Sequence, residues 1–247
     1  MSDGTLALSA TAVSIALIHT LAGPDHYLPF VAMARAGRWP LRKTLRVTFL
    51  CGIGHVGSSV ALGLIGVAMG IGVEKLEWIE SARGDWAAWL LIAFGITYLT
   101  WGIWRAVRNK PHTHLHLHAD GTLHSHPHVH SADHAHLHEP GFNEAPATLG
   151  TAKPARWSPM ALFIVFVFGP CEPLIPLIIY PAARHNLGGL ILVTTLFSIV
   201  TIGTMLALVA GMTMGVTRLR WAGLERFSHA MAGGIVTACG VAILAGL

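Results

Sequence analysis

The chain of 247 residues is 53% hydrophobic and only 11% charged, whereas an ordinary soluble domain is about 25% charged. Its mean hydropathy is +0.58, and several apolar runs reach the roughly 20 residues that cross a bilayer, so the composition excludes a soluble globular protein. The basic residues behind the net charge of +4 lie in short connections between apolar runs, so the lipid bilayer is an expected partner and nucleic acid is not. The three cysteines all lie in apolar segments, which argues against a secreted disulfide framework.

The hydropathy pattern predicts an all-α polytopic membrane protein with about six membrane-spanning helices. Gly23-Pro24 breaks the first predicted span and Gly169-Pro170 breaks the fourth, because proline lacks the backbone N–H and clashes with the preceding turn. The segment "EKLEWIESARGD" (74–85) is expected to be a short amphipathic connector between the second and third spans. The six predicted spans are residues 8–36, 45–72, 86–106, 159–182, 188–214 and 226–246.

Residues 109–156 separate the third span from the fourth and hold 11 of the 16 histidines. The low apolar content and the abundance of Pro, Gly and His predict a largely disordered loop with a metal-binding composition. The chain then divides into a first three-helix repeat (1–108), this histidine-rich loop (109–156) and a second three-helix repeat (157–247).

The distribution of basic residues predicts the orientation in the membrane. The connections after spans one, three and five hold 13 of the 16 Lys and Arg residues, and the other face has only Lys75, Arg83 and Arg184. The positive-inside rule places the face that holds these 13 basic residues in the cytoplasm. We therefore expect a multi-pass protein of the inner (plasma) membrane, with both termini outside and the histidine-rich loop inside.

The two broken spans align in an internal repeat at an offset of 146 residues. Gly23-Pro24 falls on Gly169-Pro170, and Asp25 falls on Cys171. Because each copy holds three spans, an odd number, the second copy runs in the opposite direction, which predicts two inverted repeats. In transporters of that architecture, broken helices surround a substrate site near the bilayer midplane.

Ionisable side chains cluster at the breaks, where a buried charge costs at least about 2.5–3.5 kcal/mol and indicates a functional site. Imidazoles with carboxylates suit a borderline divalent metal ion such as nickel, cobalt or zinc, and a thiolate favours softer ions. Alternatives without a metal stay open: His55 could form an interhelical hydrogen bond, Glu172 could bridge helices or relay protons, and Cys171 could be a packing residue. The candidate metal ligands are His19, Asp25, His26, His55, Glu172 and Cys171.

Three motifs resemble the nickel/cobalt transporter superfamily, including its efflux proteins and the urease-accessory membrane proteins. "HTLAGPDH" resembles the His-x4-Asp-His helix motif of that superfamily, "GIGHVGSS" its second motif, and "FGPCEPLIP" a segment of the efflux branch, which also carries a histidine-rich loop. The resemblance implies metal ligation by His19, Asp25 and His26, with a contribution from His55.

The favoured function is secondary transport of nickel or cobalt, in the direction of efflux, with the metal as cargo and no permanently bound cofactor. A nickel uptake permease that supplies a nickel enzyme is the main alternative, and an intramembrane metalloenzyme is a weaker one; we do not expect an enzyme. No Walker motif is present, which argues against ATP hydrolysis by this chain. An anion exporter would need basic residues at mid-depth, and the sequence predicts none there. The sequence does not determine the oligomeric state, and a homo-oligomer is one alternative.

Overall fold

The structure is a computed structural model that describes residues 3–108, 112–117, 123–128, 157–218 and 225–246. Helices dominate these residues, as the predicted all-α class requires. Two 3-10 turns, Pro24–His26 and Glu225–Phe227, precede α2 and α8. The helices are α1 (Asp3–Ala22), α2 (Leu28–Ala36), α3 (Leu41–Ala68), α4 (Val73–Arg108), α5 (Trp157–Phe168), α6 (Leu174–Ala183), α7 (Leu187–Arg218) and α8 (Ser228–Leu244).

A short hairpin lies within the predicted histidine-rich loop. Strand β1 (His112–Leu117) pairs antiparallel with β2 (Leu123–His128), and His112 lies opposite His128. The rest of segment 109–156 lies outside the described residues, so its predicted disorder stays a prediction.

The helices confirm a multi-pass membrane protein. Four segments are long and apolar enough to cross a bilayer: α3, α4, residues 187–216 of α7, and residues 225–244. Helices α1 and α2 add a fifth candidate, a single span that bends by 82° at the first break. The described residues therefore hold four or five spans, and the predicted number of six is reached only if α5 and α6 are also counted as one broken span.

Both predicted helix breaks lie where the Gly-Pro pairs stand. Helix α1 ends one residue before Gly23, whose N–H donates to the carbonyl of His19 (3.0 Å), and a 3-10 turn begins at Pro24. Helix α5 ends one residue before Gly169, and α6 begins only at Leu174. The missing proline N–H explains why neither helix continues.

The prediction that residues 74–85 form a connector is wrong, because α4 continues without interruption over 36 residues. Its length is about 54 Å at 1.5 Å per residue. The reason is a buried stripe that continues through the supposed connector at spacings of three and four residues: Leu76, Glu80, Gly84, Ala87, Ala88 and Leu91. The acidic and basic residues of this segment, which made it look like a connector, mostly occupy the other faces of the same helix.

Helices α4 and α8 pack closely through glycines. Small residues let two helix backbones approach each other in a membrane. Residues with increasing numbers along α4 contact residues with decreasing numbers along α8, so the two helices are antiparallel. The contacting pairs are Ala88 with Gly240, Gly95 with Gly233, and Gly102 with Ala230.

Helix α3 lies at the centre of the bundle, where it contacts α5, α6 and α7. Two apolar clusters pack around it. The Phe30 cluster includes Phe30, Met33, Cys51, Leu162, Phe166, Met205 and Val209. The Phe197 cluster includes Ala12, Ala16, Val56, Cys171, Leu174, Ile178 and Phe197. The Phe30 cluster packs α2 against Cys51 of α3, and the Phe197 cluster packs α1 against Val56 of α3. The helices on both sides of the first break therefore pack against the middle of α3.

Candidate metal site

Three of the predicted ligands meet at the first helix break. His19 lies in the last turn of α1, His26 ends the 3-10 turn, and His55 lies at the middle of the 28-residue α3. A separation of seven residues is about 10 Å along a straight helix, yet the ring centroids of His19 and His26 are 4.7 Å apart. The bend at Gly23-Pro24 brings the two imidazoles together.

His55 completes a group of three imidazoles. Its ring centroid is 5.1 Å from that of His26, and the two rings are nearly perpendicular at 89°. One ligand nitrogen of each of the three residues lies within 4.8 Å of the others. Two nitrogens on opposite sides of one ion are about 4 Å apart, since metal–nitrogen bonds are about 2.0–2.1 Å, so these nitrogens are close to the spacing that a shared ion requires.

Four ring nitrogens of this group are buried without a hydrogen-bond partner in the described part of the chain. Among the described residues, Nε2 of His19, Nε2 of His26 and both ring nitrogens of His55 are buried without one. His26 and His55 are each only 3% exposed. Burying an unpaired polar group is costly, and nearly all such groups in folded proteins are paired. A shared metal ion would satisfy one nitrogen of each ring.

Asp25 orients His26. Its Oδ1 lies 3.1 Å from Nδ1 of His26, and the carbonyl oxygen of Gly23 lies 3.1 Å from the same nitrogen. Because both neighbours are acceptors, Nδ1 carries a proton, and in the neutral imidazole Nε2 then keeps its lone pair for a ligand. A carboxylate in this position fixes the tautomer and the ring orientation of a metal-binding histidine.

Glu172 lies on the rim of the same cavity. This cavity of about 290 Å³ is lined by His19, Asp25 and His26 from the first break and by Pro170 and Glu172 from the second. The Glu172 side chain is exposed, whereas His26 and His55 are buried.

Cys171 does not join the imidazoles. Its side chain is buried in the Phe197 cluster, and its backbone N–H donates to Oγ of Ser59 (3.1 Å). Three of the six predicted ligands, Asp25, Cys171 and Glu172, do not belong to the group of ligand atoms that lie within 4.8 Å of one another. The geometry of Cys171 corresponds to the packing alternative left open by the sequence.

The sequence did not predict a partly buried ion pair, Glu80 with Arg83, beside the site. Glu80 is fully buried, and its Oε2 accepts a 2.7 Å hydrogen bond from Arg83. Arg83 also donates to Oγ of Ser58 (2.8 Å), one helical turn from His55. The sequence placed Arg83 in a connector and predicted no basic residue at the depth of the breaks; this prediction is wrong, because Arg83 lies at the second break, 3.0 Å from the carbonyl oxygen of Val167. The i, i+3 spacing of Glu80 and Arg83, on the stripe that carries Leu76, is the signal that could have revealed the ion pair.

Comparison with protein-family models, with curated proteins and with solved structures finds no match to this chain. The resemblance to nickel/cobalt transporters therefore stays an expectation from three motifs.

Proposed function

We propose that the protein is a secondary membrane transporter of a divalent transition metal ion, nickel or cobalt, that works in the direction of efflux. The observation that carries this proposal is the group of three buried imidazoles with unpaired nitrogens at a helix break, in a multi-pass membrane protein. Ionisable residues inside a membrane bundle mark substrate and ion pathways.

The donor set fits a borderline divalent ion, and the choice of nickel or cobalt within that class rests on the three motifs. Imidazole nitrogens suit nickel, zinc, copper and iron, whereas soft thiolate ligands select other ions. The Cys171 thiol is not among the grouped ligand atoms. Asp25 and Glu172 line the same cavity, and their charges offset part of the charge of a divalent cation.

The pairing of helices supports two inverted repeats as part of the proposal. Helix α1 packs on α7, and α5, its counterpart in the second repeat, packs on α3, the counterpart of α7. Helices α3 and α7 contact each other, and α4 runs antiparallel to its counterpart α8. Six spans follow when α5 and α6 form one broken span, and the distribution of basic residues then puts both termini outside.

The test is metal binding and flux by the purified protein. We expect the parent to bind Ni²⁺ or Co²⁺ in detergent and to carry the ion into proteoliposomes that contain a metal-sensitive dye, while His26→Ala does neither. His185→Ala is the matched control, because His185 is exposed in the turn between α6 and α7. A parent that neither binds nor moves these ions would contradict the proposal.

Direction is tested in membrane vesicles of both orientations. Efflux predicts accumulation in inverted vesicles, whereas an uptake permease would accumulate metal in right-side-out vesicles. Turnover of a lipid or peptide without metal flux would instead favour an intramembrane metalloenzyme.

A further inference from the structure

Two cavities lie at opposite ends of the bundle. The cavity of about 290 Å³ that contains His19 and His26 also touches Ile243, near the end of α8. A second cavity, of about 350 Å³, is lined by Ser228 at the start of α8 and by Arg35 and other residues of α2. Ser228 and Ile243 are 15 residues apart, about 22 Å along the helix, so the two cavities approach the bundle from opposite sides.

The Phe30 cluster lies between the imidazoles and the second cavity. Phe30 lies four residues after His26 and four residues before Ala34, which lines the second cavity. The rings of Phe30 and Phe166 are 4.6 Å apart between centroids, and the ring of Phe166 is 6.2 Å from that of His55. Phe30 is fully buried and Phe166 is 6% exposed. The two rings therefore cover the side of the imidazole group that faces the second cavity.

We propose that the Phe30–Phe166 pair is a closed gate between the imidazole group and the cavity beside Arg35, and that this structure is the state open toward Glu172. The inference rests on the proposed function, since it assigns the gate to the path of the transported ion. An apolar constriction without water blocks an ion, because the ion cannot replace its hydration there.

The position of Phe30 couples the gate to the site. Helix α2 has only nine residues, and it is separated from α1 by the 3-10 turn that ends at His26. Residues 26 and 30 are four positions apart, across the junction at Tyr27 between the 3-10 turn and α2, so a movement of His26 toward a bound ion also displaces the start of the helix that carries Phe30. This arrangement gives the ion itself a means of opening the path.

The experiment compares Phe30→Ala and Phe166→Ala with the parent in proteoliposomes that contain a metal-sensitive dye, under an inward Ni²⁺ gradient and no other gradient. We expect the initial Ni²⁺ flux to rise at least about tenfold and to increase linearly with Ni²⁺ concentration instead of saturating. Ni²⁺ affinity in detergent should stay within about threefold of the parent, which also reports that the variants are folded. Phe30→Leu, which keeps an apolar side chain of similar volume, should leak less than Phe30→Ala.

Phe197→Ala is the matched control, because Phe197 is fully buried in the other apolar cluster. It should show no linear leak. Folded gate variants with saturable flux like the parent, or an equal leak in Phe197→Ala, would overturn the gate. If the parent binds no Ni²⁺ but the gate variants leak, the gate is supported and the proposed function is rejected. If the parent binds Ni²⁺ but the gate variants do not leak, the proposed function is supported and the gate is rejected.

Discussion

Arg83 donates a 3.0 Å hydrogen bond to the carbonyl oxygen of Val167, at the end of the helix that precedes the second break. The last carbonyls of a helix have no partner within it, and a positive charge near them is favourable. The same guanidinium lies 3.5 Å from the carbonyl oxygen of Gly169. Arg83 thus stabilises the interrupted end of α5 from the neighbouring α4.

Arg83→Gln should lower stability strongly. Removal of one member of a buried ion pair costs about 3–5 kcal/mol, because it leaves the other charge uncompensated, here the fully buried Glu80. We expect a clear fall in the thermal unfolding temperature in detergent. The double variant Glu80→Gln/Arg83→Gln should recover part of the loss. Arg184→Gln is the control, since Arg184 is exposed and lies over the ring of Tyr180; an equal loss there would contradict the role of Arg83.

Gly23→Ala should disrupt the metal site. A Cβ atom at Gly23 would lie 2.5 Å from Nδ1 of His26 and 2.8 Å from Oδ1 of Asp25, so the pair must separate or the ring must turn. We expect Ni²⁺ affinity in detergent, measured by titration calorimetry, to fall at least about tenfold. Gly57→Ala provides the comparison, because a Cβ there meets nothing within 4 Å. Unchanged affinity in Gly23→Ala would show that the Asp25–His26 contact is dispensable.

The sequence predicted the membrane class, both breaks and three residues that the structure brings together, because each of these depends on local chemistry. A Gly-Pro pair inside an apolar run favours a helix break, and a histidine in an apolar run demands a partner. Orientation around a break depends on the bend angle, which no local pattern encodes. The 82° bend brings His19 beside His26, while the Cys171 thiol, after the other break, packs among apolar side chains.

Hydropathy did not predict the continuity of α4, for a related reason. Charged residues in 74–85 are typical of a connection between spans, and hydropathy alone does not show that Glu80 and Arg83 neutralise each other. Their partners lie far away in sequence: Arg83 contacts Ser58, 25 residues earlier, and Val167, 84 residues later. Only the tertiary fold brings those partners together.

Gly233→Ala should loosen the contact between α4 and α8. A Cβ at this position would meet the backbone of Leu99, 2.6 Å from its Cα, and the carbonyl oxygen of Gly95 at 2.8 Å. Backbone cannot move aside as a flexible side chain can, so overpacking should cost about 1–3 kcal/mol, measured as a lower unfolding temperature in detergent. Gly211→Ala, in α7 with nothing within 4 Å, should be neutral or slightly stabilising, since alanine favours helix. A neutral Gly233→Ala would contradict the close packing.

The histidine-rich loop should be accessory to transport. It lies outside every candidate span, and the three grouped imidazoles belong to other segments. Replacement of residues 112–138 by a Gly/Ser linker should weaken metal capture at low concentration and leave the flux at saturating metal unchanged in proteoliposomes. A complete loss of flux, with normal membrane insertion, would mean that the transport site lies in the loop.

The roles of Asp25 and His26 can be separated by substitution. His26→Ala removes a nitrogen that a bound ion would need, so Ni²⁺ binding should be lost. Asp25→Asn keeps the shape of the side chain but loses the charge that fixes the proton on Nδ1 of His26; loss of such a partner typically weakens metal binding by about 10–100-fold. Titration calorimetry in detergent should therefore rank the parent above Asp25→Asn and Asp25→Asn above His26→Ala, with His185→Ala equal to the parent. If Asp25→Asn abolished binding as completely as His26→Ala, Asp25 would be a ligand itself, and the carboxylate would have to turn from His26 toward the ion.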